Sequence, residues 1–412
     1  MYIASKKIDI TPKKPVPMAG YSLRKGKSRG ILSPLYARIV YLEDNIPVVI
    51  VSLDIIRVDN DLYREISKEV SKTLGLPQKN VFVSATHTHS GPEISTSFWN
   101  TTELSEEDIK LVMEYRSFLI EQIKNLVEEI QPKLGRLYGG RTEIDMIASN
   151  RINPKGPVDK ECVFLVSEKD IIILNFACHP TVLPAENMKF SGDLAGAITE
   201  FFESHFRTAI FLNGAAGNIS TRFTRKEQNL QETLRLANLF YEQVMHSFEN
   251  VSPVSGEINV EWKNLKLRLR DFPSLEAIEK LEQEAFRMWK KSLNATPPVR
   301  RMSESNYLGV KILKHRLSLL KGMKEINFRI AKMSIGKDFV MIFVPAELFV
   351  EYQIAVKRAS TYRYTMLVGY SNGYWGYVPY NKTEENIYER AVSLIHPEEY
   401  KTILRALLDF VQ

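Results

Sequence analysis

An α/β fold of layered mixed sheets carrying one helical excursion is predicted by three features of the sequence. Apolar runs of strand length alternate with longer amphipathic helical patterns. The 412 residues are 44% hydrophobic and 25% charged, a globular composition with ample interior for a core. Residues 274–320 depart in composition from everything around them. At roughly 150 residues per domain the length allows one large domain or two to three ordinary ones; the excursion reads as an insertion within a single domain spanning 1–412.

Taken in order, residues 37–42 and 47–53 read as adjacent strands and 60–74 as a helix. Residues 80–86 read as a strand because Val81, Val83 and Ala85 alternate. Residues 106–130 keep a long amphipathic period. Strands are expected at 135–143, 162–166 and 171–177, a helix at 193–205, a buried strand at 208–212 and a helix at 226–246. A Pro/Ser/Gly turn at 252–256 leads into a strand-like run, 257–269. Residues 274–320 are rich in Lys, Arg, Glu and Leu at helical spacing and are interrupted near Thr296 by Pro297 and Pro298, which predicts a helical pair. Strands return at 325–334 and 339–344, followed by a helix from Glu347 to about Ser360, a strand near 364–368 and a terminal helix from Pro397. No internal repeat is visible.

Several function classes drop out on composition. Fifty-five Lys and Arg against 49 Asp and Glu leave +6, with no dense basic block aimed at a phosphate backbone, so nucleic acid is not an expected partner. Two cysteines, Cys162 and Cys178, build no disulfide framework. The longest apolar stretches fall far short of the roughly 20 residues a membrane span needs. Residues 1–12 lack the apolar core and cleavage site of a secretory signal, so the expected location is cytoplasmic, or secreted where a leader has been removed. Oligomeric state is not legible.

The sharpest local signal is Thr86-His87-Thr88-His89-Ser90-Gly91-Pro92 at the end of an apolar strand. Residues two apart on a strand share a face, so both imidazoles can enter one site from a rigid element, as a metal or an acid/base pair requires. A third histidine, His179, follows the strand at 171–177. Three histidines at strand ends, out of seven in the chain, suggest one shared site with zinc as the leading metal. Asp54, Asp193 and Glu347 are candidates for a further ligand, and Asp193 and Glu347 also stand where helices are expected to begin. The small-residue loop from Asn213 to Ser220 could cradle an oxyanion with backbone N–H groups, present Ser220 as a nucleophile, or be a tight turn. The Gly-rich run from Gly369 to Tyr380 packs five aromatics and reads as a pocket wall or lid.

Together these motifs resemble the catalytic N-terminal domain of the neutral/alkaline (non-lysosomal) ceramidases. The likeness rests on Ser84 through Pro92 with Met18-Ala19-Gly20-Tyr21 and Ser52-Leu53-Asp54 upstream. It continues in family order through Asn150-Arg151, His179-Pro180-Thr181, Ser191-Gly192-Asp193, Asn213 to Ser220, Pro345-Ala346-Glu347, Ser371 to Tyr374, and Tyr388-Glu389. The resemblance implies a zinc amidohydrolase that cleaves the N-acyl bond of ceramide or a ceramide-like lipid. It implies His87, His179, Glu347 and Tyr377 as holders of Zn2+, His89 as acid/base partner, Arg151 and Tyr388 as groups that bind or polarise the scissile amide, and Ser220 as the serine that the family treats as catalytic. Two departures from the family pattern stand out: Gly217-Asn218-Ile219-Ser220-Thr221 replaces Gly-Asp-Val-Ser-Pro, and Tyr377 to Tyr388 is one residue short. The C-terminal immunoglobulin-like domain that the secreted relatives carry is not expected within these 412 residues. Three other readings compete: hydrolysis of another acyl or ester substrate, an inactive metal- or lipid-binding relative, and a metallophosphoesterase. The last needs an early Asp-x-His, whereas Asp54 is followed by Ile55-Ile56.

Overall fold

The computed structural model describes residues 1–412 other than 23, 97–103, 169, 296, 321 and 382–387. Three sheets carry the fold. The first orders its strands Val81–Ala85, Pro47–Leu53, Tyr36–Glu43, Tyr2–Asp9, Lys133–Leu134; the second Thr208–Asn213, Ile171–Phe176, Glu161–Ser167, Leu137–Glu143, Ser252–Val254; the third Ile258–Arg268, Glu325–Ile335, Phe339–Phe343, Tyr364–Val368. Two small ladders complete it: Ile219–Ser220 against Ser149–Asn150, and Glu347–Leu348 against Tyr377–Val378. Nine described helices follow the chain order: α1 (Asn60–Leu74), α2 (Glu106–Glu128), α3 (Asp193–Phe202), α4 (Leu230–His246), α5 (Leu275–Ser292), α6 (Pro297–Leu319), α7 (Val350–Ala359), α8 (Tyr388–Val392) and α9 (Tyr400–Leu408).

Strand alternation builds the layers. Val40, Leu42, Val48 and Ile50 turn one way and meet Ile173, Leu212, Met341 and Val368 in a central core shared by all three sheets. Ile39, Val49 and Val51 turn the other way, under Ile66 of α1 and Leu119 of α2. Ile172, Leu174 and Phe211 on the far side of the second sheet pack beneath Ile198 of α3 and Phe240 of α4. Period-two burial on both faces is why these runs read as near-continuous apolar stretches.

The expected elements are present with few adjustments. The first strand, Tyr2–Asp9, is invisible to the apolar pattern because its Lys6, Lys7 and neighbours are only half-buried. Helix α4 starts at Leu230, capped by Asn229, four residues later than expected. Glu347 does not begin a helix: it lies in a two-residue strand, and α7 starts at Val350. Helices α5 and α6 form the expected pair, the break falling between Ser292 and Pro297; Thr296 lies outside the described residues. Both cysteines are free and buried, and burial pushes their thiols up.

Four strand pairs run parallel, and they determine where the site lies. Pro47–Leu53 is parallel to Val81–Ala85, Ile171–Phe176 to Thr208–Asn213, Phe339–Phe343 to Tyr364–Val368, and Glu347–Leu348 to Tyr377–Val378. Ligands in α/β proteins gather beyond the carboxyl ends of parallel strands. Beyond those ends stand His87, His179, Glu347 and Tyr370.

Candidate metal centre

His87 lies two residues past its strand in a left-handed conformation, φ 69°, an arrangement costing about 1–3 kcal/mol for a non-glycine residue. The chain holds it there through hydrogen bonds from Thr86 N to Leu53 O (2.9 Å) and His87 N to Ile55 O (3.1 Å). His179 is held by its N–H to Ile219 O (3.0 Å). Asn213 ties the two histidine-bearing segments together, its amide donating to Thr86 O and Cys178 O.

Both rings are oriented from behind. His87 Nδ1 meets Ile56 O at 2.6 Å and His179 Nδ1 meets Ala216 O at 2.5 Å. A carbonyl can only accept, so both Nδ1 atoms carry the proton and both Nε2 atoms present lone pairs. Those two Nε2 atoms stand 3.2 Å apart. Glu347 Oε2 faces them at 3.3 and 3.1 Å and has no hydrogen-bond partner though fully buried. Tyr377 Oη completes the group, 3.4 Å from His179 Nε2. Three buried acceptors, the two Nε2 atoms and Oε2, turned on one another with only the Tyr377 hydroxyl to donate among them are costly, and a cation among them removes the cost. The donor set therefore fits a metal.

His89 stands beside this group and differs from it. Its Nε2 is 3.4 Å from His87 Nε2, so the nitrogens of His87, His89 and His179 could also hold an ion by themselves. But His89 Nδ1 has no partner, whereas metal-bound histidines nearly always donate their second N–H. Its ring sits edge-on to Tyr21, and it packs so tightly on Gly20 (φ +100°) that a Cβ there would lie 2.7 Å from His89 Cγ and 2.8 Å from its Cα. That explains the glycine in Met18-Ala19-Gly20-Tyr21.

Electrostatics follow from burial. Burial and the nearby Arg151 take the His179 imidazole down to about 3, and burial with His87 and His179 holds His89 well below its ordinary value. Burial raises Glu347, while positive charge at His87 and His179 would hold it well below the carboxylate range; with both imidazoles neutral, that charge has to come from a bound cation. Arg151 Nη2 lies 2.8 Å from Gly217 O, 3.0 Å from Tyr377 Oη and 2.9 Å from Glu389. Burial pushes the Tyr388 phenol up to about 12, and its ring meets Tyr377 at 5.9 Å.

Ser220 is close in chain but not in chemistry. Its backbone bridges to His179, while its hydroxyl accepts from Arg222 N at 3.2 Å. Among the described residues no hydrogen bond joins that hydroxyl to a histidine. The loop before it offers carbonyls and not the N–H cradle that was one of its three readings: Ala216 O holds His179 and Gly217 O holds Arg151, while the Gly217 N–H is taken by Leu348 O. Gly217 itself is required by close approach, a Cβ there falling 2.7 Å from Glu347 O. Asn218 turns away towards α7, accepting from Val350 N and donating to Glu351; a carboxylate could not donate to Glu351. Asp54 and Asp193 are also absent from the cluster. Asp54 accepts from Tyr36 N and Arg38, and Asp193 from the N–H groups of Val182, Leu183 and Leu194.

Three contributors escape sequence reading. Tyr370 (φ 54°) stacks on His87 at 4.1 Å, Tyr374 donates to Glu347 Oε1, and Gln353 accepts from Ala215 N. The two tyrosines do lie in the aromatic run read as a pocket wall. Nothing in the sequence marks Gln353 or the carbonyls of Ile56 and Ala216.

Fold and site together define an α/β protein with a histidine–carboxylate centre, able to hold a metal, at the carboxyl ends of its parallel strands. The family model described as neutral/alkaline non-lysosomal ceramidase, N-terminal, matches residues 2–226. The chain belongs to that family. Its fold is that of a neutral ceramidase from Pseudomonas aeruginosa, with TM-score 0.73, 20% identity, and coverage of 100% of this chain and 74% of that one. A ceramidase complexed with C2 matches at TM-score 0.72 and 19% identity, with the same coverage. A comparison with curated protein sequences finds no match. Glu347, Tyr377 and Tyr388 lie beyond the matched residues 2–226, so their place in the site comes from the fold alone.

Proposed function

We propose that this chain is a zinc-dependent hydrolase of an N-acyl amide, with ceramide or a ceramide-like lipid as substrate. The observation that carries the reading is the meeting of two Nε2 lone pairs with the unpartnered Oε2 of Glu347. Zinc bonds of about 2.0–2.1 Å in a tetrahedron put neighbouring ligand atoms roughly 3.3 Å apart, which is the spacing here. His87, His179 and Glu347 would hold the ion, with Tyr377 as the weaker fourth ligand. Bound there, zinc supplies Lewis-acid polarisation of a carbonyl and a water of lowered pKa.

The chain's own residues divide the remaining work. His89, neutral at pH 7 and unsupported at Nδ1, takes a proton at Nε2 from the attacking water and hands it to the departing amine. Arg151 keeps its charge through Tyr377 and Glu389, and Tyr388, protonated at neutral pH, can donate; both favour negative charge developing on the amide oxygen. Since the Ser220 hydroxyl meets Arg222 N and no base, an orienting role is favoured over a nucleophilic one.

The test is elemental analysis of the chain purified without added metal, with hydrolysis measured on ceramide, on simple N-acyl amines and on a phosphate monoester. One zinc per chain and fatty-acid release are expected, with no acyl-enzyme burst. Phosphatase activity without amidase activity, or no stoichiometric metal, would overturn the proposal.

A further inference from the structure

The helical pair has a use that its packing does not explain. Helix α5 is 18 residues long, yet Ile278 and Ser292 are its only buried residues. Its charge changes along its length. Residues 275–284 hold Glu276, Glu279, Glu282 and Glu284 against Lys280, whereas residues 285–300 hold Arg287, Lys290, Lys291 and Arg300 with no acid. Apolar side chains are exposed in that same basic stretch: Met288 is 57%, Leu293 44% and Val299 45% accessible. Trp289 stacks on Tyr307 at 5.3 Å, and Lys290 lies over both Phe286 and Trp289.

Basic side chains interleaved with exposed large apolar and aromatic ones suit a helix lying in an interface, its apolar groups in the acyl boundary and its cations among anionic headgroups. The base of the pair reaches the centre. Ile312 of α6 packs with Tyr377, Val392 and Tyr388, Gly309 lies against Tyr388 and Ala391 of α8, and Arg316 donates to Val392 O at 3.0 Å. We propose that the joined ends of α5 and α6 dock on an anionic lipid bilayer and so bring the metal centre to a substrate held in that membrane. The docking deepens the lipid reading and rests on it for its purpose, though binding can be measured without turnover. Charge complementarity selects an anionic surface over a neutral one.

The test is sedimentation of the full chain with vesicles of phosphatidylcholine alone and with vesicles containing about one-third phosphatidylglycerol. Binding to the anionic vesicles is expected to be at least about thirtyfold stronger and to weaken with salt. Lys290→Gln with Lys291→Gln should lower it about thirtyfold, at roughly fivefold per charge. Met288→Ser with Leu293→Ser should lower binding to both compositions. Both double variants should hydrolyse a soluble short-chain N-acyl amide at the unaltered rate. Equal binding to the two compositions, unchanged binding by the lysine variant, or a dimer broken by the Met288/Leu293 variant in place of vesicle binding would overturn the proposal. Vesicle binding without turnover of any N-acyl amide would sink the hydrolase reading and leave the docking surface standing; turnover without vesicle binding would do the reverse.

Discussion

The strand-end cluster and the α5–α6 pair treat their side chains in opposite ways. His87, His179 and Glu347 are at most 2% exposed, and each is gripped from behind by a backbone carbonyl or a buried tyrosine. Helix α5 leaves nearly all of its residues in solvent. In the first region position is over-determined, so a small change propagates to the reacting atoms. In the second, individual side chains are worth little to the fold and are free to serve a surface. Rigidity here comes from parallel strands ending together, not from local helix or strand propensity.

Substitutions can break that contrast or sharpen it. The largest effect is expected at His87: His87→Ala should lose both bound zinc and turnover, measured by elemental analysis and amide hydrolysis. His89→Ala should keep the zinc and lose about 10²–10⁴ in rate. Equal metal loss in the two variants would reverse their roles. Gln353→Leu reaches the centre indirectly, since the fully buried Gln353 holds Ala215 N at 2.8 Å and Asp159 at 2.6 Å, next to the carbonyl that orients His179. Zinc affinity should weaken about tenfold, with rate restored at saturating metal; an unmoved affinity would make Gln353 purely structural.

Acid should destabilise the metal-free chain through the same cluster. His179 falls from 6.5 to about 3 on folding because burial and Arg151 disfavour its charge. Between those values the unfolded chain binds a proton that the native one refuses, so its stability is full above about pH 6.5 and declines towards pH 3. Thermal melts against pH, with His179→Ala flattening the slope, check this. The smallest effect is expected at Tyr370, whose hydroxyl is buried without a partner. Tyr370→Phe keeps the ring on His87 and should leave the melting temperature unchanged or raise it, an unpaired buried hydroxyl costing about 1–3 kcal/mol; a drop would mean that the hydroxyl has a partner in solution.

Much of the architecture was readable in advance. Helix α1 spans the residues its periodicity predicts, and Asp59 and Gly75 cap it as a short polar residue and a left-handed glycine should. All three histidines stood out because a rigid strand precedes each of them. From strand and helix positions alone Glu347 was one of three carboxylates, since Asp54, Asp193 and Glu347 all follow or precede regular elements; the family resemblance singled it out. Asp54 turned out to pair through Oδ2 with Arg38, and Asp193 to accept from backbone N–H groups, each away from the histidines. Asn218 read as a change beside a catalytic serine; its amide in fact secures α7.

From the sequence alone came the fold class, the strand and helix succession and the residue types able to hold a metal, because periodicity and chain neighbours report local burial directly. Only the tertiary structure decided which carboxylate faces the histidines, which imidazole lacks support at Nδ1, and that Tyr370 and Gln353 belong to the site. Those choices depend on groups far apart in the chain, such as His87 and Glu347, and on backbone carbonyls that every residue possesses. No side-chain pattern encodes either one.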